Sequence, residues 1–419
     1  MKSLIVFLML VALALPLFAG AQSEAAAPEQ ASISFNHWIG PEKWAKELDV
    51  WTAEFQQENP EINVRIEMIP WAGYWGKLQT AMAANMEADV MQMSGGYSDK
   101  FVAQNRLLEL DSYLNQEGLS FENFYPAALQ EVVFGGKMYS LPFGVGKGSA
   151  FYFNKTLLDQ NGLGYPDNNW SFEDVIEMGQ KITKDTDGDG KNDQWGFWIT
   201  NRTDSWPIIW ASGGQILNED KTKCMLDQPE AIEGLQFMKD LIHKYKISPT
   251  PAQLEGIGDF FMTGKLVSRT VGEHYISKYS AIENFEWDFT VWPKLKNRRA
   301  PDVFVGGNQH AISANTEYPD QAWKFVYWMT LKHMENSITY GLGTPTLKEI
   351  AERIITPDVT TYRLMEQIAD GHSLDFHPNW GEMVDIYQSI IPLMFNDEIS
   401  VEEAAKTLTK RIDATLETF

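Results

Sequence analysis

Apolar and polar residues alternate over Ile33-Ser34-Phe35-Asn36-His37-Trp38 and again over Ile62-Asn63-Val64-Arg65-Ile66-Glu67-Met68. This period of two marks strands with one buried face. Between them, Trp44, Leu48, Trp51 and Phe55 recur at helical spacing and Asn59-Pro60 ends the run, which predicts a helix over 41–58. A second helix is predicted over Trp75–Ala84, followed by a short strand, Asp89–Met93, that runs into Ser94-Gly95-Gly96. The β-α-β-α-β order predicts a parallel sheet with helices on its faces.

Further along, Phe134–Phe143 reads as a hairpin around Gly135-Gly136, a dipeptide suited to a two-residue turn. Ser149–Phe153 reads as a strand, with a helix beginning at Asn154, and here the chain is expected to cross into a second lobe. Ser171 with Asp174 three residues on is a capping pattern that opens a helix to about Ile182. Glu230–Tyr245 is amphipathic. Phe260–Val267 holds a helix end, a glycine stop at Gly264 and a new strand, and Phe289–Pro293 is another strand. Ala311-Ile312-Ser313 follows Gly306-Gly307-Asn308. From Tyr318 the pattern is mainly helical, with helices over Asp320–Met334 and Val401–Thr418.

The chain's 419 residues suggest two or three domains at roughly 150 residues each. With 34 Lys+Arg against 57 Asp+Glu, the net charge of -23 repels phosphate backbones and disfavours nucleic-acid binding. The single cysteine, Cys224, excludes an intrachain disulfide and a Cys-rich zinc site. No H-x-x-H or HExxH spacing occurs among the seven histidines, which argues against a metalloenzyme. At the N-terminus an apolar run over Leu4–Phe18 and the small residues Ala19-Gly20-Ala21 read as a signal peptide over 1–21, cleaved after Ala21. Residues 22–31, rich in Ala, Glu, Gln and Ser, then read as a disordered mature N-terminus. No cysteine near the cleavage site is available for a lipid, so export to the periplasm is expected.

In open α/β sheets, ligands sit outside the carboxyl ends of the strands. The segments after the first three strands carry Trp38, then Trp71 and Tyr74, then Tyr97 with Asp99. Each residue has two readings: a face for the C–H patches and hydroxyls of a sugar ring, or packing within the lobe. Trp206 and Trp210 are four apart and share a helical face, which usually means core. The run Asp185-x-Asp187-x-Asp189-Gly190, with Asp193 at position nine, looks like the start of a calcium loop, but position twelve is Gly196 rather than a carboxylate. A structural calcium and a plain Asp-Gly turn both remain open, and no other cofactor is expected.

Five motifs in this order resemble the extracellular (periplasmic) solute-binding proteins of ABC importers, in the carbohydrate-binding family that includes maltose-binding protein. They are Trp51-x3-Phe55 before Asn59-Pro60-Glu61-Ile62-x-Val64; Gly135–Pro142 with the crossover strand Phe151–Lys155; Thr183–Gly190; Phe261-x2-Gly264-Lys265-Leu266-Val267 leading to Gly272; and Gly306-Gly307 before Ala311–Ala314 and Ala322–Phe325. The likeness covers nearly all of the mature chain. It implies an α/β, two-lobe periplasmic-binding-protein fold (type II) with open sheets, flanking helices and a hinge cleft. The expected organisation is a first lobe over 32–145, a second over 146–285, a return to the first over 286–316 and C-terminal helices over 317–419 packing on both. It also implies a monomeric receptor that takes a mono- or oligosaccharide to a membrane permease without chemistry on the ligand. It adds candidate contacts: Trp206 near a sugar-stacking position, with Trp210 beside it; Glu273, His274 and Tyr275 after Gly272; Gly306, Gly307 and Asn308 on the hinge side; and Trp380 from the C-terminal helices. Two alternatives stay open. One is the same fold with a non-sugar solute such as a polyamine or peptide; the other is a secreted glycoside hydrolase, for which Asp99 and Glu273 would be the carboxylate pair.

Overall fold

The alternating segments form the strands they predict. In the computed structural model, which describes residues 30–38, 42–147, 150–202, 205–272, 275–296, 303–340, 342–355, 371–373, 377 and 379–417, β1 (Ala31–Trp38) lies between β2 (Ile62–Ile69) and β3 (Val90–Ser94), parallel to both. The connecting helix Glu42–Glu58 buries Leu48, Trp51 and Phe55 against this sheet. Asn59 closes that helix by donating its side-chain amide to the Phe55 carbonyl at 2.9 Å. The second helix starts earlier than its periodicity suggests, spanning Trp71–Ala83. Pro70 cannot extend the strand ladder, and its φ of -55° leads the chain straight into the first turn.

The Gly135-Gly136 hairpin joins β4 (Val133–Phe134) to β5 (Lys137–Met138). Both glycines have positive φ, 59° and 79°, the geometry of a type I′ turn. Next come β6 (Ser140–Lys147), β7 (Ala150–Asn154), β8 (Trp195–Trp198), β9 (Leu266–Val271), β10 (Trp287–Thr290), β11 (Val303–Ile312), β12 (Thr344–Pro345) and β13 (Gly371–Ser373).

These strands form two main sheets, one per lobe. The first has the order β12-β6-β11-β3-β1-β2, with β13 also pairing with β11, and the second has the order β10-β7-β9-β8. The return to the first lobe comes later than residue 286. β10 pairs antiparallel with β7, and the Tyr152 ring packs against Trp287 and Phe289, so this segment belongs to the second sheet. The crossing falls between 296 and 303. Within the first sheet, Val305 stands opposite Lys147 on one side and Ser373 on the other.

Ser171 and Asp174 form the expected reciprocal cap on helix Phe172–Ile182. The C-terminal helices divide between the lobes. Pro319–Glu335 buries Phe325, Val326 and Met329 in the first-lobe core, while Trp380–Phe395 and Val401–Leu416 bury Met383, Ile391, Leu408 and Ile412 in the second. Among the described residues, no helix is long and apolar enough to cross a membrane.

One contact in the second lobe is very close. A Cβ at Gly196 on β8 would lie 2.1 Å from the Gly179 Cα of helix Phe172–Ile182. Gly196→Ala is therefore expected to cost about 1–3 kcal/mol by overpacking. The change would be read as a lower urea midpoint at constant m; an unchanged midpoint would contradict the packing.

Candidate functional site

The three parallel strands deliver aromatic residues to one end of the first sheet. Trp38 ends β1, Trp71 opens the helix after β2, and Tyr97 lies in helix Gly95–Ala103 after β3. Their rings form a continuous cluster. Trp38 and Trp71 meet edge to face at 5.1 Å, Trp71 and Trp75 at 5.6 Å, and Trp75 stacks on Tyr97 at 3.6 Å with only 7° between the planes. Trp71 remains 48% exposed, so the cluster presents one open indole.

Tyr74 does not join that open face. Because the helix begins at Trp71, position 74 turns inward, and the side chain is fully buried. Its hydroxyl donates to the Gln92 carbonyl at 2.6 Å, with the Asn36 carbonyl at 3.1 Å. Trp75 takes the place expected of Tyr74. Its position one helical turn after Trp71 is the sequence signal that would have found it.

Elements of the second lobe approach Tyr97 and Asp99. Lys221 Nζ lies 3.8 Å from Asp99 Oδ2. A Cβ at Gly381, in helix Trp380–Phe395, would lie 3.7 Å from the Tyr97 ring. Burial pushes the Asp99 carboxyl up to about 6, with the Lys221 ammonium pulling the other way. Burial, helped by Asp385, pushes the Tyr97 phenol up to about 12.

Gly306, Gly307 and Asn308 lie within β11. Gly307 N–H donates to Glu131 Oε2 at 2.6 Å, and a Cβ at 307 would stand 3.0 Å from that oxygen. The glycine thus makes room for a buried carboxyl. Burial raises Glu131 to about 8, against the Gly307 hydrogen bond and with a further push from Asp99. Neither Glu131 nor Lys221 carries a local sequence signal, since each acts through a partner more than 100 residues away.

The remaining candidates separate. Trp206 and Trp210 are buried, and Trp206 packs edge to face on Trp380 at 5.1 Å and on Tyr387 at 5.5 Å. Trp380 is buried as well, so these three indoles belong to the second-lobe core, as helical spacing suggested for the first two. Tyr275 is half-buried, with the Arg269 guanidinium 5.2 Å and the Lys278 ammonium 5.0 Å from its ring centre. Glu273 and His274 lie outside the described residues.

In the acidic loop, oxygens of Asp185, Asp187 and Asp189 come within 4.8 Å of one another. Asp185 accepts the Gly188 and Gly190 N–H groups at 2.6 and 2.8 Å, which holds it below the usual carboxylate range. Asp193 faces elsewhere. It accepts from Thr186 N–H at 2.8 Å and pairs with the Lys265 ammonium, which lowers it further. Gly196, pressed against Gly179, has no room for a carboxylate at position twelve. The three clustered carboxylates supply only part of the six to eight oxygens that calcium takes.

Comparison with known proteins adds the lineage. The family described as bacterial extracellular solute-binding protein matches residues 42–333. A binding protein of Brucella abortus is 26% identical over 377 residues, covering 86% of this chain and 88% of the relative. The maltotriose-binding protein of Pyrococcus abyssi is 24% identical over 353 residues, covering 82% of this chain and 73% of its own. Among solved structures, the ABC substrate-binding protein of Listeria monocytogenes in complex with cycloalternan superposes with a TM-score of 0.81 at 22% identity, covering 93% of this chain and 99% of that one. With its two α/β lobes and a family match over most of its length, the chain belongs to the bacterial extracellular solute-binding proteins.

Proposed function

We propose that the chain captures a carbohydrate between its lobes and delivers it, chemically unchanged, to the permease of an ABC importer. The observation that carries this reading is the open Trp71 indole on the Trp38–Trp75–Tyr97 cluster, with Asp99, paired to Lys221, on the same helix as Tyr97. Sugar C–H faces stack on such a ring, and hydroxyls need both a donor and an acceptor nearby. An ammonium beside Asp99 opposes a cationic ligand, which makes a polyamine the poorer fit. Relatives named for maltotriose and solved with cycloalternan support the same ligand class. No part of the reading requires an ion at the Asp185 loop or a catalytic step.

The test is isothermal titration of the mature protein with maltose, maltotriose, cycloalternan and chitobiose, with polyamines as a separate arm. Saturable binding of a sugar recovered intact is the expected result. A cleaved sugar, or binding of polyamines alone, would overturn it. Trp71→Ala is expected to weaken the sugar by about 2 kcal/mol, roughly 30-fold. The unliganded melting point should barely move, because the indole is about half exposed. Equal affinity in the variant would remove Trp71 from the site.

A further inference from the structure

Three histidines distant in sequence, His37, His310 and His333, meet inside the first lobe. They come from β1, β11 and helix Pro319–Glu335, and all three are buried. One ring nitrogen of each lies within 4.8 Å of those of the other two. The Nδ1 positions are already committed. His37 Nδ1 is 2.7 Å from the Trp38 carbonyl and His333 Nδ1 is 2.8 Å from the Met329 carbonyl. A carbonyl can only accept, so both rings carry the proton on Nδ1 and a lone pair on Nε2.

His310 Nδ1 lies 2.8 Å from Thr330 Oγ1, and its Nε2 is buried without a hydrogen-bond partner. A buried polar atom left so is costly unless something else uses it. Aromatic rings hold the three imidazoles in place: Phe143 lies 4.6 Å from His310 and 4.5 Å from His333, Trp51 lies 5.3 Å from His333, and Phe35 lies 5.3 Å from His37. An imidazole tied through Nδ1–H to a backbone carbonyl keeps its Nε2 lone pair for another partner, which is the way proteins orient a metal-binding histidine.

We propose that Nε2 of His37, His310 and His333 bind one late first-row transition-metal ion as a structural site of the first lobe. Imidazole donors suit copper and zinc. No carboxylate joins the trio among the described residues. Because the cost of burying charge rises steeply with its size, singly charged copper should be held more tightly than zinc. The ligands are sealed from solvent, so the ion enters as the lobe folds rather than afterwards.

The test refolds the full mature chain from denaturant with copper(I) under anaerobic reducing conditions, or with zinc, and removes unbound ion by gel filtration. The expected result is about one ion per chain, a raised melting point, and an X-ray absorption spectrum of three nitrogen ligands near about 2.0 Å. The double variant Asp185→Asn, Asp187→Asn should retain the ion, and His310→Gln and His310→Phe should lose it. No retained copper or zinc in the wild type overturns the proposal, as does equal retention in the His310 variants. If neither variant refolds, the wild-type spectrum decides, and a shell built from oxygen or sulfur in place of imidazole overturns the site.

Discussion

Glu131→Gln is expected to flatten the fall in stability that the wild type shows between about pH 4.5 and 8. A free glutamate titrates near about 4.3, whereas burial holds Glu131 at about 8 in the folded chain. Between these values the unfolded chain gives up its proton and the folded chain keeps it. The folded state therefore binds more protons, and stability falls as pH rises. The favourable contribution is complete below the unfolded value and is lost by about pH 8, at up to roughly 1.4 kcal/mol for each intervening pH unit. Glutamine keeps an oxygen to accept the Gly307 N–H and has no proton to lose. Urea midpoints at pH 5, 6, 7 and 8 would show a shallower profile in the variant, and parallel profiles would contradict a neutral, buried Glu131. Asp99 adds a slope of the same sign at the acidic end, up to about pH 6, so Asp99→Asn should flatten only that end.

Trp206→Ala is expected to cost about 3–5 kcal/mol and to lower the melting point by on the order of 10 °C. The indole is fully enclosed, with Trp380 and Tyr387 edge-on against it, and the helix it begins, Trp206–Ala211, is buried at every position. Removing it leaves a cavity that such close-packed neighbours can fill only in part. Well below the new melting point, sugar affinity should stay within about twofold of the wild type. Loss of affinity at unchanged stability would instead make Trp206 a ligand contact.

What could be read from the chain was what neighbouring residues decide. The alternation of β1 and β2, the Ser171–Asp174 cap and the Gly135-Gly136 turn are local, and each appears where its pattern lies. The aromatic cluster was partly legible, because placing residues at strand ends brings Trp38, Trp71 and Tyr97 together without knowing their angles. Tyr74 was misplaced by one fact, a helix starting four residues early, which turns a loop side chain into a core one. Gly306 and Gly307 read as hinge-side glycines, yet the surroundings of Gly307 in β11 are set by Glu131 on a distant segment. The same limit hid the histidine cluster: spacing motifs find ligands on one helix or turn, and these three come from two strands and a helix.

Among the described residues, Lys147, Val305 and Ser373 stand side by side across three neighbouring strands of the first sheet, at the ends from which the chain goes to or comes from the second lobe. Links that start from one row of a sheet favour rotation about that row over twisting or sliding. Relative movement of the lobes is therefore expected to be dominated by one opening angle, in place of the six freedoms available to unlinked bodies. Dye pairs placed across the lobes at different positions should then report distance changes related by that one angle, and changes that vary independently between pairs would contradict it.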